Sequence, residues 1–75
     1  MRELLEVMAK ALVDNPGEVV VTEEKKNDMI VLNLRVAESD MGKVIGKSGR
    51  IAKALRQVLN AAASRDRLKV VVDIG

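Results

Sequence analysis

The chain has no cysteine, no histidine and no aromatic residue, and a single proline among its 75 residues. Each absence excludes something. Without cysteine there is no disulfide framework and no thiol nucleophile. Without histidine as well, zinc fingers and the usual near-neutral acid–base catalyst are gone. Without Phe, Tyr or Trp, the core must be assembled from Val, Leu, Ile, Met and Ala, and no platform for base stacking is available. No apolar run approaches the ~20 residues of a membrane span. Glu3 and Glu6 stand where a signal peptide would be apolar. The expectation is a cytoplasmic protein with no membrane contact, no metal and no cofactor.

What remains is a composition that folds. Hydrophobic residues make up 48% and charged residues 32%, the balance of a globular rather than a disordered chain. The length suits one small domain spanning residues 1–75. The net charge of +2 hides a polarised distribution. Residues 1–40 carry five basic and nine acidic residues, net −4, and residues 41–75 carry eight and two, net +6. From Met41 to Arg65 there is no Asp or Glu, while Lys43, Lys47, Arg50, Lys53, Arg56 and Arg65 all fall in that stretch. A basic stretch of this kind is either a solvated helix face or the footprint of a polyanion.

The basic stretch is centred on Val44-Ile45-Gly46-Lys47-Ser48-Gly49-Arg50-Ile51. Two glycines permit a sharp turn with close backbone approach. Lys47 and Ser48 between them supply a cation and a hydroxyl, and the helix that follows begins with N–H groups lacking internal partners. Phosphate can sit at such a turn. Three motifs could claim these residues. Gly42-Lys43-Val44-Ile45-Gly46-Lys47-Ser48 looks like a nucleotide-binding P-loop, but it has one residue too few between its glycines to wrap a phosphate. A helix-hairpin-helix turn needs an apolar filling, which Lys47-Ser48 is not. The KH signature, Val-Ile-Gly-x-x-Gly with an apolar residue soon after, fits Val44, Ile45, Gly46, Gly49 and Ile51 without a gap. In KH domains this loop clamps the backbone of about four nucleotides of single-stranded nucleic acid.

Periodicity supplies the frame. Leu4, Leu5, Val7, Met8, Ala11 and Leu12 recur at helical spacing, predicting a helix over 2–14 that Asn15-Pro16-Gly17 stops. Residues 18–24 read as a strand and 25–28 as a turn. Met29 to Val36 alternates, with Ile30, Leu32, Leu34 and Val36 on one face. The two strands form an antiparallel hairpin. Lys25 and Lys26 read as a soluble loop, with a nucleic-acid contact there as the lesser reading. Glu38, Ser39 and Asp40 are N-cap candidates for a short helix running to about Ile45. A longer helix over 50–63 buries Ile51, Ala54, Leu55, Val58, Leu59 and Ala62 and keeps Lys53 and Arg56 outside. Leu68, Val70, Val72 and Ile74 mark the inner face of a last strand. The order is α-β-β-α-α-β, an α+β fold. The crossover from second to last strand makes them parallel if they are neighbours. The result is a three-stranded mixed sheet with helices covering one face.

This order, with Gly-x-x-Gly between the two central helices, is similar to the type II KH fold. Ala11-Leu12-Val13-Asp14-Asn15-Pro16, together with Asp40-Met41-Gly42-Lys43-Val44-Ile45-Gly46-Lys47-Ser48-Gly49-Arg50-Ile51-Ala52-Lys53-Ala54, resembles the small stand-alone bacterial KH proteins of the KhpA group. The resemblance covers essentially the whole chain. It implies cytoplasmic RNA binding with an RNA-chaperone role in post-transcriptional regulation. It also implies pairing, as a homodimer or with a larger KhpB-like RNA-binding protein, and a link to cell elongation, cell shape and cell-wall homeostasis.

The expected mechanism is non-catalytic. Backbone N–H groups around Gly46 to Arg50, with Lys47 and Arg50, hold phosphates of single-stranded RNA, and Ser48 adds a donor. Lys43, Lys53 and Arg56 add field. Bases lie on an aliphatic groove near Val44, Ile45 and Ile51, with a core role for each of the three as the competing reading. One rival is a protein-interaction module whose loop meets a protein partner. The other is an enzyme built on Lys47, which no carboxylate pair or base accompanies.

Overall fold

A computed structural model describes all 75 residues. The first helix, α1, spans Arg2–Leu12. It turns Leu5 and Ala9 fully inward, while Val7 stays 67% exposed and Leu4 and Leu12 are partly exposed. On its outer side Lys10 reaches Glu6 at 2.8 Å, an i,i+4 pair with the acid on the N-terminal side, the favourable orientation. The Lys10 ammonium holds the Glu6 carboxyl below its ordinary range. The helix stops two residues earlier than its spacing predicts. Val13 is already extended, at φ −99° and ψ 160°, because Asn15 lies before proline and the chain has begun to leave the helix.

Pro16–Glu18 forms a 3₁₀ turn, so the strand expected to start at Glu18 begins at Val20. Proline fits the first position of such a turn, its ring presetting φ and its missing N–H costing nothing there. The strands β1, Val20–Lys26, and β2, Met29–Arg35, then pair antiparallel from Val20 opposite Arg35 to Lys26 opposite Met29. The polar segment 25–28, expected as a four-residue turn, is half strand, Lys25 and Lys26 completing β1. Only Asn27 and Asp28 make the corner, with Asn27 at φ 45°. Asparagine is one of the few side chains that accept this left-handed geometry, which suits a two-residue hairpin.

After a 3₁₀ turn over Glu38–Asp40 come the short helix α2, Met41–Ile45, and the long helix α3, Arg50–Ala63. The chain returns through a further 3₁₀ turn, Ser64–Asp66, into β3, Lys69–Ile74. β3 pairs parallel with β2, Met29 opposite Lys69 through Leu34 opposite Ile74, so the sheet order is β1-β2-β3. This is the mixed sheet that the crossover pattern implies. Ile30, Leu32, Leu34, Val70, Val72 and Val21 are buried on the face that α1 and α3 cover. Period-two alternation puts the intervening residues on the opposite, uncovered face.

The face of α3 differs from the expected one. Leu55 and Leu59 are buried as read, but their companions are Ala52 and Ala63, while Val58 is 46% exposed. The helix is rolled so that its small residues meet the sheet. Asn60 fixes this roll from the side: the Val70 N–H donates to Asn60 Oδ1 at 3.0 Å, and Asn60 Nδ2 donates to the Arg56 carbonyl at 3.0 Å.

Candidate nucleic-acid interface

The Gly turn is built by three consecutive backbone decisions. The Gly46 N–H closes α2 on the Gly42 carbonyl at 2.8 Å. Gly46 then takes φ 75° and ψ 172°, a region essentially reserved for glycine. Ser48 (φ 58°, ψ 27°) and Gly49 (φ 73°, ψ 16°) are both left-handed, and the Gly49 N–H returns to the Gly46 carbonyl at 3.1 Å. A Cβ on Gly46 would sit 2.7 Å from Ile51 Cγ1 and 2.9 Å from the Ile51 backbone nitrogen. Ile51 is therefore the floor under the first glycine. Gly49 has nothing within 4 Å of such a Cβ, so it serves the turn by conformation alone.

Lys47 and Ser48 are exposed at the tip, and Arg50 and Lys53 are exposed on the first turn of α3. The N-cap of α3 is Gly49, with no side chain capping the helix and no acid in its first turn. Its partial positive end therefore adds to the field of Lys47, Arg50 and Lys53. None of these cations, nor Arg56, is in an ion pair. An anion approaching this turn meets unpaired positive charge and backbone donors together.

Two expected members of the site lie elsewhere. Val44 has no exposed surface; it is a core residue that pins α2 to the sheet and cannot touch a base. Lys43 is pulled away from the turn, because side chains on a helix lean toward its N-terminus. Its ammonium pairs with the Asp14 carboxylate and lies 3.7 Å from Asp40. Asp14 holds the Lys43 pKa above its ordinary value, against the pull of desolvation. Its ammonium is paired at the α1 side of the fold, away from the turn. Ile45 and Ile51 are half-buried and pack against the core, each with some surface left.

Asp40, expected as a helix cap, makes no capping bond to α2. Its carboxylate is 1% exposed and is the one buried charged group. It reaches back across the fold, accepting from the Asp14 N–H at 3.2 Å, the Asn15 N–H at 3.0 Å and the Asn15 Nδ2 at 3.2 Å. Burial pushes this carboxyl up, but the two backbone donors, the Asn15 amide and the Lys43 ammonium outweigh it and hold the pKa below the ordinary range. The clasp joins the end of α1 to the start of α2, and so fixes the five-residue helix that carries the turn. Nothing local in the sequence signals a contact across 25 residues.

A second feature also lay outside the sequence reading. Met8, Leu12, Ile51, Ala54 and Val58 line an open apolar groove of about 420 Å³ between α1 and α3. It lies on the opposite side of α3 from Arg56 and Asn60. No group of His, Cys, Asp and Glu side chains is placed to hold a metal ion, and no helix is long and apolar enough to cross a membrane.

The profile of the KhpA/KhpB KH domain matches residues 2–74. A protein of Clostridium acetobutylicum called RNA-binding protein KhpA is 57% identical over 74 residues, covering 99% of each chain. Its namesake in Clostridium perfringens is 55% identical with the same coverage. That of Treponema pallidum is 50% identical over 72 residues, 96% of this chain and 90% of its own. No solved structure gives a significant match. The α-β-β-α-α-β order, the parallel β2–β3 pair and the Gly-x-x-Gly turn agree with these relationships, and the chain belongs to the KhpA/KhpB KH-domain family.

Proposed function

We propose that residues 1–75 form one KH domain that binds single-stranded RNA without catalysis, using the turn Gly46-Lys47-Ser48-Gly49 as a phosphate clamp. The observation that carries this reading is the geometry of the turn: left-handed backbone, exposed Lys47 and Ser48, and an uncapped helix start with unpaired Arg50 and Lys53. The names of the relatives, RNA-binding protein KhpA, point the same way. Ile45 and Ile51 offer aliphatic surface beside the clamp for bases. With no aromatic residue to stack on, one copy binds weakly, and pairing raises affinity by bringing two clamps to one strand.

The α1–α3 groove supports pairing with a second copy or with a KhpB-like partner, since its apolar lining is left open in the single chain. It leaves the Arg56 side of α3 free, while Arg50 and Ile51 border both the groove and the clamp, so a partner seated there meets the RNA surface at its edge. The expected setting is the cytoplasm, with an RNA-chaperone role and an effect on cell elongation and cell-wall homeostasis.

The double substitution Lys47→Asp, Ser48→Asp tests the clamp. The left-handed Ser48 position accepts Asp, one of the residues enriched there, and acids are welcome at a helix N-terminus. The fold therefore survives. Two carboxylates facing phosphates meet a repulsion of about 4 kcal/mol each at 4 Å and an effective dielectric of 20. RNA affinity falls about tenfold or more, each factor of ten being about 1.4 kcal/mol. Wild-type binding by a folded double variant would move the assignment to a protein-interaction module.

A further inference from the structure

The sheet face turned away from the helices is uncovered. Every second side chain of β1, β2 and β3 belongs to it, and the register aligns these residues in rows across the strands. The middle row is Glu24, Val31 and Val71. Val71 is 38% exposed, and Val20, at one end of the same face, is 51% exposed. The core of the single chain gives these valines nothing to pack against.

The charges on either side of the middle row have an antisymmetric order. One row toward the hairpin tip, Lys26 and Lys69 flank Met29, and beyond them comes the corner at Asp28. One row the other way, Asp73 lies opposite Asn33, and Arg35 follows on β2. Along the strands the signs therefore run minus at Asp28, plus at Lys69, none at Val31 and Val71, minus at Asp73 and plus at Arg35. Reversing the direction exchanges every sign. Glu24 departs from this order, but it lies on the outer strand and pairs with Lys26 at 3.7 Å. Asp28, Arg35, Lys69 and Asp73 are in no ion pair within the chain. Lys69 and Asp73, four residues apart on one strand, are separated by about 13 Å and do not reach each other.

We propose that this face docks the same face of a second copy, about a two-fold axis along the Val31–Val71 row, and so carries assembly beyond a pair. A two-fold contact sets a surface against itself. About this axis the strands of the two copies run in opposite directions, so the rows meet in reverse order. Lys69 then faces the partner's Asp73, Asp73 faces the partner's Lys69, and Arg35 comes over the corner that holds the partner's Asp28. The valines of the middle row meet each other, as in two sheets stacked about 10 Å apart. The area sets the order of events. Three strands of about seven residues cover on the order of 300 Å² per copy, against the roughly 800 Å² per partner of a stable pair. The face does not hold two free chains; it joins copies already paired at the α1–α3 groove. It rests on that pairing and extends it. Since it lies opposite the helices, the Gly turns stay open on the outside of the assembly.

Sedimentation velocity over a concentration series tests this. The wild type passes from the groove pair to a larger species as concentration rises. Salt at about 1 M returns it to the pair, because the screening length falls to about 3 Å. Lys69→Asp and Asp73→Lys change exposed side chains, and circular dichroism checks that each variant keeps the wild-type fold. Alone, each stops at the pair: the first sets carboxylate against carboxylate across the axis, the second ammonium against ammonium. Mixed in equal amounts, the two variants form the larger species again, since every contact between them joins opposite charges. A wild type that stops at the pair at every concentration overturns the proposal, leaves groove pairing standing and gives the face to a different protein. Single variants that assemble as far as the wild type, or a mixture that stays in pairs, overturn it as well. A wild type that remains at 8.2 kDa throughout overturns groove pairing and the stacked assembly with it.

Discussion

Replacing Gly46, Gly49 and Gly42 in turn by alanine separates three effects that a Gly-rich turn usually mixes. At Gly46 the added methyl meets a φ/ψ combination that is essentially glycine-only, and it falls 2.9 Å from the Ile51 nitrogen. That nitrogen belongs to the first turn of α3, so it cannot move aside as a flexible side-chain tip would. Backbone strain of this kind costs about 1–3 kcal/mol, and the contact pushes the total to the upper end. At Gly49 the methyl enters open space and only the left-handed conformation is penalised, about 1–2 kcal/mol. Gly42 lies inside α2 with nothing near its missing Cβ; alanine there stabilises by about 0.5–1 kcal/mol. A domain of this size melts about 4–8 °C lower for each kcal/mol lost. Thermal circular dichroism should therefore rank the variants Gly42→Ala above wild type, then Gly49→Ala, with Gly46→Ala lowest by roughly 12–24 °C. At low temperature Gly46→Ala remains folded, since a chain of this length has on the order of 4–11 kcal/mol of stability. Its RNA affinity should fall nonetheless, because the turn can no longer close over Ile51. A Gly46→Ala protein melting within a few degrees of wild type, or below no worse than Gly49→Ala, would refute the account of the turn.

Three further outcomes follow from the same geometry. A few phosphate contacts at about 0.7 each give a log–log salt slope of roughly −2 to −3 for short single-stranded RNA, and a slope near zero would remove the phosphate clamp. The Asp40 pKa is lowered in the fold, so its contribution to stability is complete above the unfolded carboxyl pKa and is lost as pH falls through the folded one; Asp40→Asn should be less stable at neutral pH and should show a flatter acid limb in urea titrations, and an unchanged limb would contradict the clasp. Light scattering at high concentration should find a species larger than 8.2 kDa that Val58→Asp returns to the monomer, with weaker binding to an RNA long enough to reach two clamps and unchanged binding to one of about four nucleotides; a wild type that stays monomeric would leave the groove without this partner.

The elements that announce themselves in the sequence do so through period and punctuation. The alternation of Ile30, Leu32 and Leu34 fixed the inner face of β2, and the two glycines marked the turn between helices. The parallel β2–β3 pair was legible only on condition that the two strands joined by the helical crossover lie side by side, which they do. Local pattern could not see which groups meet across the fold. Asp40 read as a cap because an acid before a helix usually is one, yet its partners lie 25 and 26 residues away. Val44 read as groove because it adjoins the turn, but one residue along a helix is a rotation of about 100°, enough to separate a core position from an exposed one. The roll of α3 was hidden for a similar reason: alanines at 52 and 63 carry too little hydrophobic signal to compete with Val58.

The outer rim of β3 is partly stoppered. Backbone groups along the strand alternate between β2 and the outside, and since the Lys69 and Gly75 N–H groups serve the inner side, the N–H groups of Val70 and Val72 point outward while their side chains stay in the core. An incoming strand zipping onto this rim would meet Val70 first, and that donor is already taken by Asn60. The opposite rim is guarded differently, by Glu23-Glu24-Lys25-Lys26 along β1, the charge-laden kind of edge that discourages sheet-to-sheet growth. A chain carrying Val70-Val71-Val72 next to open space has the makings of a fibril-forming segment. One carboxamide on a neighbouring helix and four charges on the far strand work against that growth.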